Sequence, residues 1–220
     1  MEKFDILTGI AAPLMQENVN TDAIIPADWL RSVDADHAEG LFGRWRYLED
    51  GRENPDFVLN QAQYRNARVL VAGRNFGCGS SRENAVWALA AYGIRCVMAP
   101  SFGDIFRENC VKNGLLPIIL PQAEIDELAA EFIAINDAPE MEIDLVGLRI
   151  RTPLGRTLNF SIEEPVRDFL LAGMDEIDRT LTHMTAIQAF QTEDQILRPW
   201  AYLPAAGIPT DGNEPRGEDA

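Results

Sequence analysis

Histidine, cysteine and cationic side chains are scarce in this 220-residue chain. Its histidines are His37 and His183, and its cysteines are Cys78, Cys96 and Cys110. An odd number of widely spaced cysteines excludes a disulfide framework and any CxxC metal knuckle, and it suits a reducing cytoplasm. So few thiol and imidazole ligands leave the chain ill-equipped to hold a zinc ion or an iron–sulfur cluster by itself. No metal site is expected here, and any such group would have to arrive on another chain. The 19 Lys+Arg residues stand against 35 Asp+Glu, a net charge of −16. A surface this acidic repels phosphate backbones and anionic membranes, which argues against nucleic-acid or lipid partners. No apolar run approaches the ~18 residues needed to span a bilayer. The opening Met1-Glu2-Lys3-Phe4-Asp5 is charged and precedes only a brief apolar patch, unlike a secretory signal.

What is present fits an ordinary globular domain: 46% hydrophobic and 25% charged residues. One domain is expected over 1–203, followed by a disordered tail from 204 rich in Pro, Gly, Ala and acidic residues. The clearest pattern runs from Arg68 to Pro121. Arg68–Gly73 is a strand-forming apolar run, and Ala85, Ala88, Leu89 and Tyr92 give a helical repeat that Gly93 stops. Ile94–Ala99 reads as a second buried strand. Ser101 is placed to cap a second helix that turns Phe102, Ile105, Phe106 and Cys110 inward, and Leu115–Leu120 is a third strand. Alternating strands and helices with short connections give an α/β fold with a parallel βαβαβ core at about 68–121. Residues 4–33 read as a β-rich entry with a turn at Asn18–Asp22. Residues 34–66 lack a period and carry Phe42, Trp45, Tyr47 and Phe57 among charges; the set Phe42, Trp45 and Tyr47 is expected to face a partner, with a satellite core as its alternative. Glu124–Asn136 reads as a helix, 142–160 as a hairpin turning at Pro153–Gly155, and 163–173 and 175–192 as helices with His183 at a helix start.

The segment Gly73-Arg-Asn-Phe-Gly-Cys-Gly-Ser-Ser-Arg-Glu83 joins the first strand to the first helix. In open α/β sheets ligands bind at this position, beyond the strand's carboxyl end. Backbone N–H groups at the start of the helix favour an anion there. Gly77 and Gly79 permit close approach, and Arg82 adds a planar fork suited to a carboxylate or phosphate. Ser80 and Glu83 also fit a capping box, a purely structural role. The segment lacks the Gly-Lys-Ser/Thr ending of a P-loop and the GxGxxG spacing of dinucleotide binders.

Asn75–Glu83, Trp87-Ala-Leu89 and Ala99-Pro-Ser-Phe-Gly-Asp-Ile-Phe106 resemble the small subunits of bacterial 3-isopropylmalate dehydratases. These are free-standing counterparts of the swivelling C-terminal domain of aconitase. Asn18–Pro26, Pro55–Asn60 and Leu115–Pro117 continue the resemblance, which covers roughly residues 4–200. It implies a swivelling β/β/α domain acting in leucine biosynthesis. The implied reaction removes water from a hydroxy diacid and returns it at the neighbouring carbon. It also implies a large-subunit partner whose 4Fe–4S cluster supplies a Lewis acid, with no cofactor on this chain. By the same resemblance Ser80 is the base that takes the carbon-bound proton, acting as an alkoxide stabilised by the turn. Asp22 belongs to the active-site network, with an Asx turn as its structural alternative. Arg82, Ser81 and Gly79 hold the diacid, and Trp29, Leu30 and Arg31 form the loop that meets its variable substituent. Leu30 and Trp29 suit an isopropyl group, whose three carbons at ~0.8 kcal/mol each are worth about 2 kcal/mol. Asn84 stands where these subunits usually carry histidine, and Asn20 where aspartate is common. A paralogue acting on 2,3-dimethylmalate, 2-methylmalate or a homoaconitate-type diacid, an anion-binding regulatory module and a Ser80 hydrolase are the competing readings.

Overall fold

The computed structural model describes residues 1–30, 36–79, 82–135 and 137–202. Ser80, Ser81 and Arg31, and the tail expected from 204, lie outside the described residues.

Strand β1 (Ile6–Leu14) is the pivot of a seven-stranded sheet. On one side it pairs in parallel with β2 (Ala67–Ala72), and β3 (Cys96–Ala99) and β4 (Leu116–Ile119) continue the parallel half. On the other side it pairs antiparallel with β5 (Glu140–Asp144), followed by β6 (Arg149–Arg151) and β7 (Thr157–Asn159). The strand order is β4-β3-β2-β1-β5-β6-β7. The expected βαβαβ core is therefore the parallel half. The expected hairpin is instead a three-stranded meander, because Leu148 takes a left-handed φ of 54° and turns the chain before Pro153–Gly155 turns it again.

Side-chain alternation splits the core into two layers. Leu70, Ala72, Val97 and Ala99 point to one face, where they meet Ala85, Val86, Ala88 and Leu89 of α4 (Asn84–Tyr92). Val69, Val71, Cys96, Met98, Leu116 and Ile118 point to the other, against Ile125, Leu128 and Phe132 of α6 (Gln122–Ala134). Both faces of the parallel strands are covered, so these strands are apolar throughout rather than alternating with polar residues. Helix α4 ends at Gly93, whose φ of 110° permits the left-handed cap and bonds to the Ala90 and Leu89 carbonyls.

Short helices fill the space between β1 and β2: α1 (Thr21–Ile24), a 3-10 turn (Ala27–Leu30), α2 (His37–Gly40), α3 (Gly43–Arg46) and a second 3-10 turn (Val58–Asn60). Of the aromatic set expected to face a partner, Phe42 belongs to the core, Trp45 packs against it and Tyr47 is half-buried. Phe42 is fully buried and stacks with Trp45, ring centres 5.7 Å apart and planes 4° from parallel, while Phe57 packs against both. Helix α5 (Asp104–Lys112) also differs from expectation. Its N-cap position is Gly103 rather than Ser101, and Ile105 faces out while Phe106 and Cys110 face in. Helix α7 (Glu164–Ala172) closes the first compact unit, which ends at Glu176.

The second unit begins at Ile177. It contains most of α8 (Glu176–Leu181), α9 (Met184–Leu197) and a 3-10 turn at Pro199–Ala201. His183 occupies the N-cap position of α9, as expected. At the other end Asp194 accepts from Nε and Nη2 of Arg198 and from the Tyr202 hydroxyl, at 2.6, 2.8 and 2.9 Å. No helix among the described residues is long and apolar enough to cross a membrane.

Candidate functional site

The Gly-rich turn leaves the carboxyl end of β2 and is held by backbone bonds on two sides. On one side the Asn18 N–H donates to the Arg74 carbonyl (2.8 Å), the Gly77 N–H to Val19 (2.7 Å) and the Thr21 N–H to Cys78 (3.0 Å). On the other the Phe76 N–H donates to Ser101 (3.1 Å) and the Gly103 N–H to Phe76 (2.9 Å). Ser101 has a use other than helix capping: its Oγ accepts from the Asn75 N–H at 3.0 Å. The Asn75 side chain in turn donates to Asn18 Oδ1 at 2.8 Å. Segments 18–21, 74–78 and 101–103 thus form one small braced unit at the end of the parallel half of the sheet.

The glycines are needed for different reasons. Gly77 has φ 71°, and a Cβ there would lie 2.1 Å from Cγ of Phe106. The ring beneath the turn therefore leaves no room for a side chain. Gly103 has the same constraint against the Gly77 carbonyl, at 2.6 Å. Gly79 has φ 93°, but its Cβ would meet nothing nearer than Asn20 Cβ at 3.5 Å. Gly79 is exposed, with space above it, and precedes Ser80.

Two predicted site residues meet here across sixty positions. Nη1 of Arg82 is hydrogen-bonded and ion-paired to Oδ1 of Asp22, and both side chains are partly accessible. Asp22 sits in the first turn of α1, which Asn20 caps by accepting from the Ala23 N–H at 2.8 Å. The Asx-type cap therefore belongs to Asn20, and Asp22 is left for Arg82. Helix α4 starts at Asn84, later than the start at Ser81 that a capping box on Ser80 implies. Among the described residues Glu83 makes no side-chain cap bond; its Oε1 accepts from Asn113 Nδ2 at 2.8 Å. The same Asn113 accepts from Trp87 Nε1 at 3.1 Å, so the end of α5 braces the start of α4.

Trp29 and Leu30 are half-buried and pack on the core beside this turn's entry strand. Trp29 stacks on Tyr47 at 6.1 Å and lies across Gly40 and Gly43, where a Cβ would come within 3.1 Å of its Cβ and 2.5 Å of its Nε1. Sequence reasoning missed His37, which reaches the start of α4 from 47 residues away. Its Nε2 is 3.4 Å from Nδ2 of Asn84, and its ring meets that of Trp87 edge-on with centres 5.8 Å apart. No local signal announces that approach.

Metal-holding capacity can be judged from the same side chains. Cys96 and Cys110 are fully buried, and burial pushes both thiols well above their ordinary pKa, which opposes the thiolate form a metal needs. Among the described residues no three His, Cys, Asp or Glu side chains are grouped to hold a metal. These residues do not fit an iron–sulfur cluster.

The profile of the aconitase C-terminal domain family matches residues 1–123. A Rhodospirillum centenum protein named 3-isopropylmalate dehydratase small subunit is 50% identical over 91% of this chain and 99% of its own. An Agrobacterium fabrum protein of the same name is 48% identical over 91% of this chain and 100% of its own. Among solved structures, a 3-isopropylmalate dehydratase from Methanocaldococcus jannaschii is 31% identical, with a TM-score of 0.60 over 84% of this chain and 99% of that one.

Proposed function

The chain belongs to the aconitase C-terminal domain family, and on that premise we propose that it is the small subunit of a 3-isopropylmalate dehydratase. It interconverts 2- and 3-isopropylmalate by dehydration and rehydration, a step of leucine biosynthesis, and works as a hydro-lyase only with its large subunit. The observation that carries this reading is the Asp22–Arg82 pair at the mouth of a braced, anion-favouring turn. A guanidinium has five N–H donors in a planar fork, and Asp22 engages Nη1. The fork is thereby oriented to hold a second carboxylate, that of the bound diacid. Ser81 and Gly79 complete the binding turn, Gly79 by leaving its surface open.

Ser80 takes the proton from the carbon adjacent to the one bearing hydroxyl. The C–H electrons form the double bond as hydroxide departs, and reversal at the neighbouring carbon completes the isomerisation. A hydroxyl is a weak base, so the group works as an alkoxide, stabilised by the adjoining amides, the Arg82 charge and the α4 dipole. Helix α4 starts at Asn84, so its dipole acts from one turn away. Trp29 and Leu30 give the substituent an apolar wall, and Arg31 follows them in the loop. The iron–sulfur cluster belongs, on this reading, to the large subunit; among this chain's described residues no three His, Cys, Asp or Glu are grouped to hold a metal.

Anaerobic reconstitution of the full chain with a cluster-bearing large subunit tests the reading. Alkene absorbance at ~235 nm is followed with 3-isopropylmalate, 2,3-dimethylmalate and 2-methylmalate. We expect turnover of isopropylmalate, lost in Ser80→Ala while subunit association persists. Turnover of another diacid alone would move the protein to a paralogous reaction, and absence of association would overturn the subunit assignment.

A further inference from the structure

Helix α2 is a single turn whose two ends touch different parts of the site. At its start, His37 contacts Asn84 and Trp87 in the first turns of α4, just after Arg82. At its end, Gly40 lies flat against Trp29 and Ile25, where a Cβ would come within 2.5 Å of Ile25 Cδ1. The turn itself is rigidly held. Asp36 caps it by accepting from the Ala38 and Glu39 N–H groups at 2.9 and 3.1 Å. The buried Arg46 donates Nη1 to the Ala38 and Leu41 carbonyls at 2.7 and 3.3 Å, and its guanidinium lies over the rings of Tyr47 and Tyr92. The Phe42 N–H donates to the Ile24 carbonyl at 2.7 Å, which ties the same segment to α1 and hence to Asp22. From the far side Asn113 pins Glu83 and Trp87. α2 is thus a strut of fixed length between Trp29 and the start of α4.

We propose that His37 is a positioning residue for substrate discrimination. Through Nε2 on Asn84 and its edge contact with Trp87, it fixes α2 between Trp29 and α4, and so sets the gap between the apolar wall and Arg82. This inference rests on the function proposed above: the diacid's variable group fills that gap while its carboxylate meets Arg82. Whichever way the Asn84 amide is turned, the contact runs through Nε2, because an imidazole accepts or donates there according to its tautomer. The two amide replacements separate cleanly. Glutamine carries its head group to the Nε2 position, whereas asparagine reaches only the Nδ1 position.

The test is steady-state kinetics of the reconstituted full-length enzyme on 3-isopropylmalate and 2-methylmalate. We expect His37→Ala to lower the ratio of their kcat/KM values about fivefold, through a higher KM for isopropylmalate and with kcat held within about twofold. His37→Gln restores most of the ratio, His37→Asn does not, and Asn84→Ala lowers it by no more than His37→Ala does. The double variant is no worse than His37→Ala alone, which already removes the contact with Asn84. Equal behaviour of the Gln and Asn variants, additive single effects, or an equal loss of kcat on both substrates overturns the proposal, and the Gln/Asn pair decides it even where His37→Ala does not fold. Wild-type turnover of isopropylmalate with an unmoved ratio overturns the role of His37 alone. Wild-type inactivity on both diacids overturns the parent function, and this inference with it.

Discussion

Replacing Gly77 with alanine asks the turn to accept a methyl group where the structure has an aromatic ring. The added Cβ would lie 2.1, 2.4 and 2.6 Å from Phe106 Cγ, Cδ1 and Cδ2, on a backbone held at φ 71°. The left-handed conformation costs an L-residue about 1–2 kcal/mol. Overpacking a methyl into a close-packed core costs about 1–3 kcal/mol more. Phe106 has no easy retreat, since it is buried, meets Phe76 edge-on and stacks against Phe102, with ring centres 5.5 and 6.4 Å away. The sum is about 2–5 kcal/mol lost from the free energy of unfolding. Gly79→Ala is the control, because its φ of 93° carries the conformational cost while its nearest neighbour stands 3.5 Å off. That variant is expected to lose only about 1–2 kcal/mol. Urea unfolding of the isolated chain, followed by circular dichroism, measures both. Equal losses in the two variants would refute the argument that Phe106 closes the space under Gly77. A Gly77→Ala/Phe106→Leu double variant should be less unstable than the two single losses added together, since the smaller side chain vacates part of the clash.

Asp22→Asn removes the anchor from Arg82 and is expected to raise KM for isopropylmalate about tenfold with a smaller change in kcat, while stability changes by less than about 1 kcal/mol because the pair is half-exposed. An unchanged KM would show that Arg82 needs no such partner. Native protein treated with a thiol reagent at pH 8 should label at most one cysteine, since Cys96 and Cys110 are buried and their thiols are pushed up by that burial; labelling of two or more before unfolding would contradict the burial of Cys96 in the α6 layer and of Cys110 in the opposite one. Arg198 and then Tyr202 hold the Asp194 carboxyl below its ordinary value of 3.8. A carboxyl that binds its proton more weakly when folded contributes its full stabilisation above that ordinary value and loses it as pH falls through the lower folded one. Amide exchange at the end of α9 should therefore speed up only in strong acid, and in Asp194→Asn it should be fast already at neutral pH.

The parallel half of the sheet was legible because local chemistry and tertiary packing agree there. Val69 and Val71 face one layer and Leu70 and Ala72 the other, and Gly93 ends α4 where the apolar repeat ends. The Gly-rich turn was legible for a related reason, since Gly77 and Gly79 mark left-handed backbone directly. Residues 36–66 were not, because helices of a single turn have no period to read. Phe42 therefore looked like a surface aromatic although it is fully buried. Ser101 fitted a capping rule, but the Asn75 N–H offered it a closer use. The antiparallel edge was half-legible: Gly155 announced one turn, whereas in the other the left-handed φ of 54° falls on Leu148 rather than on the neighbouring Gly147. Within the site, Asp22 and Arg82 came from motif resemblance, but their mutual contact is a product of the fold. His37 on Asn84 had no sequence signal of any kind.

Why the site is built this way follows from the placement of its rigid and accessible parts. Backbone bonds from 18–21 and 101–103 grip the turn up to Cys78, and Phe106 blocks its collapse from below. The charged arm that follows is partly accessible, and Gly79 has open space above it. A catalytic turn that folded around its own substrate would be expected to close over that space with its own side chains. Among the described residues, only Asn20 Cβ lies within 4 Å of where a Gly79 side chain would stand. Under the proposed function the large subunit covers this face and carries the cluster. Pre-organising the floor then has a clear kinetic value: little conformational entropy remains to be lost when the partner and the diacid arrive. The bracing of α4 by His37 on one side and Asn113 on the other serves the same end, keeping Arg82 in place before a carboxylate reaches it.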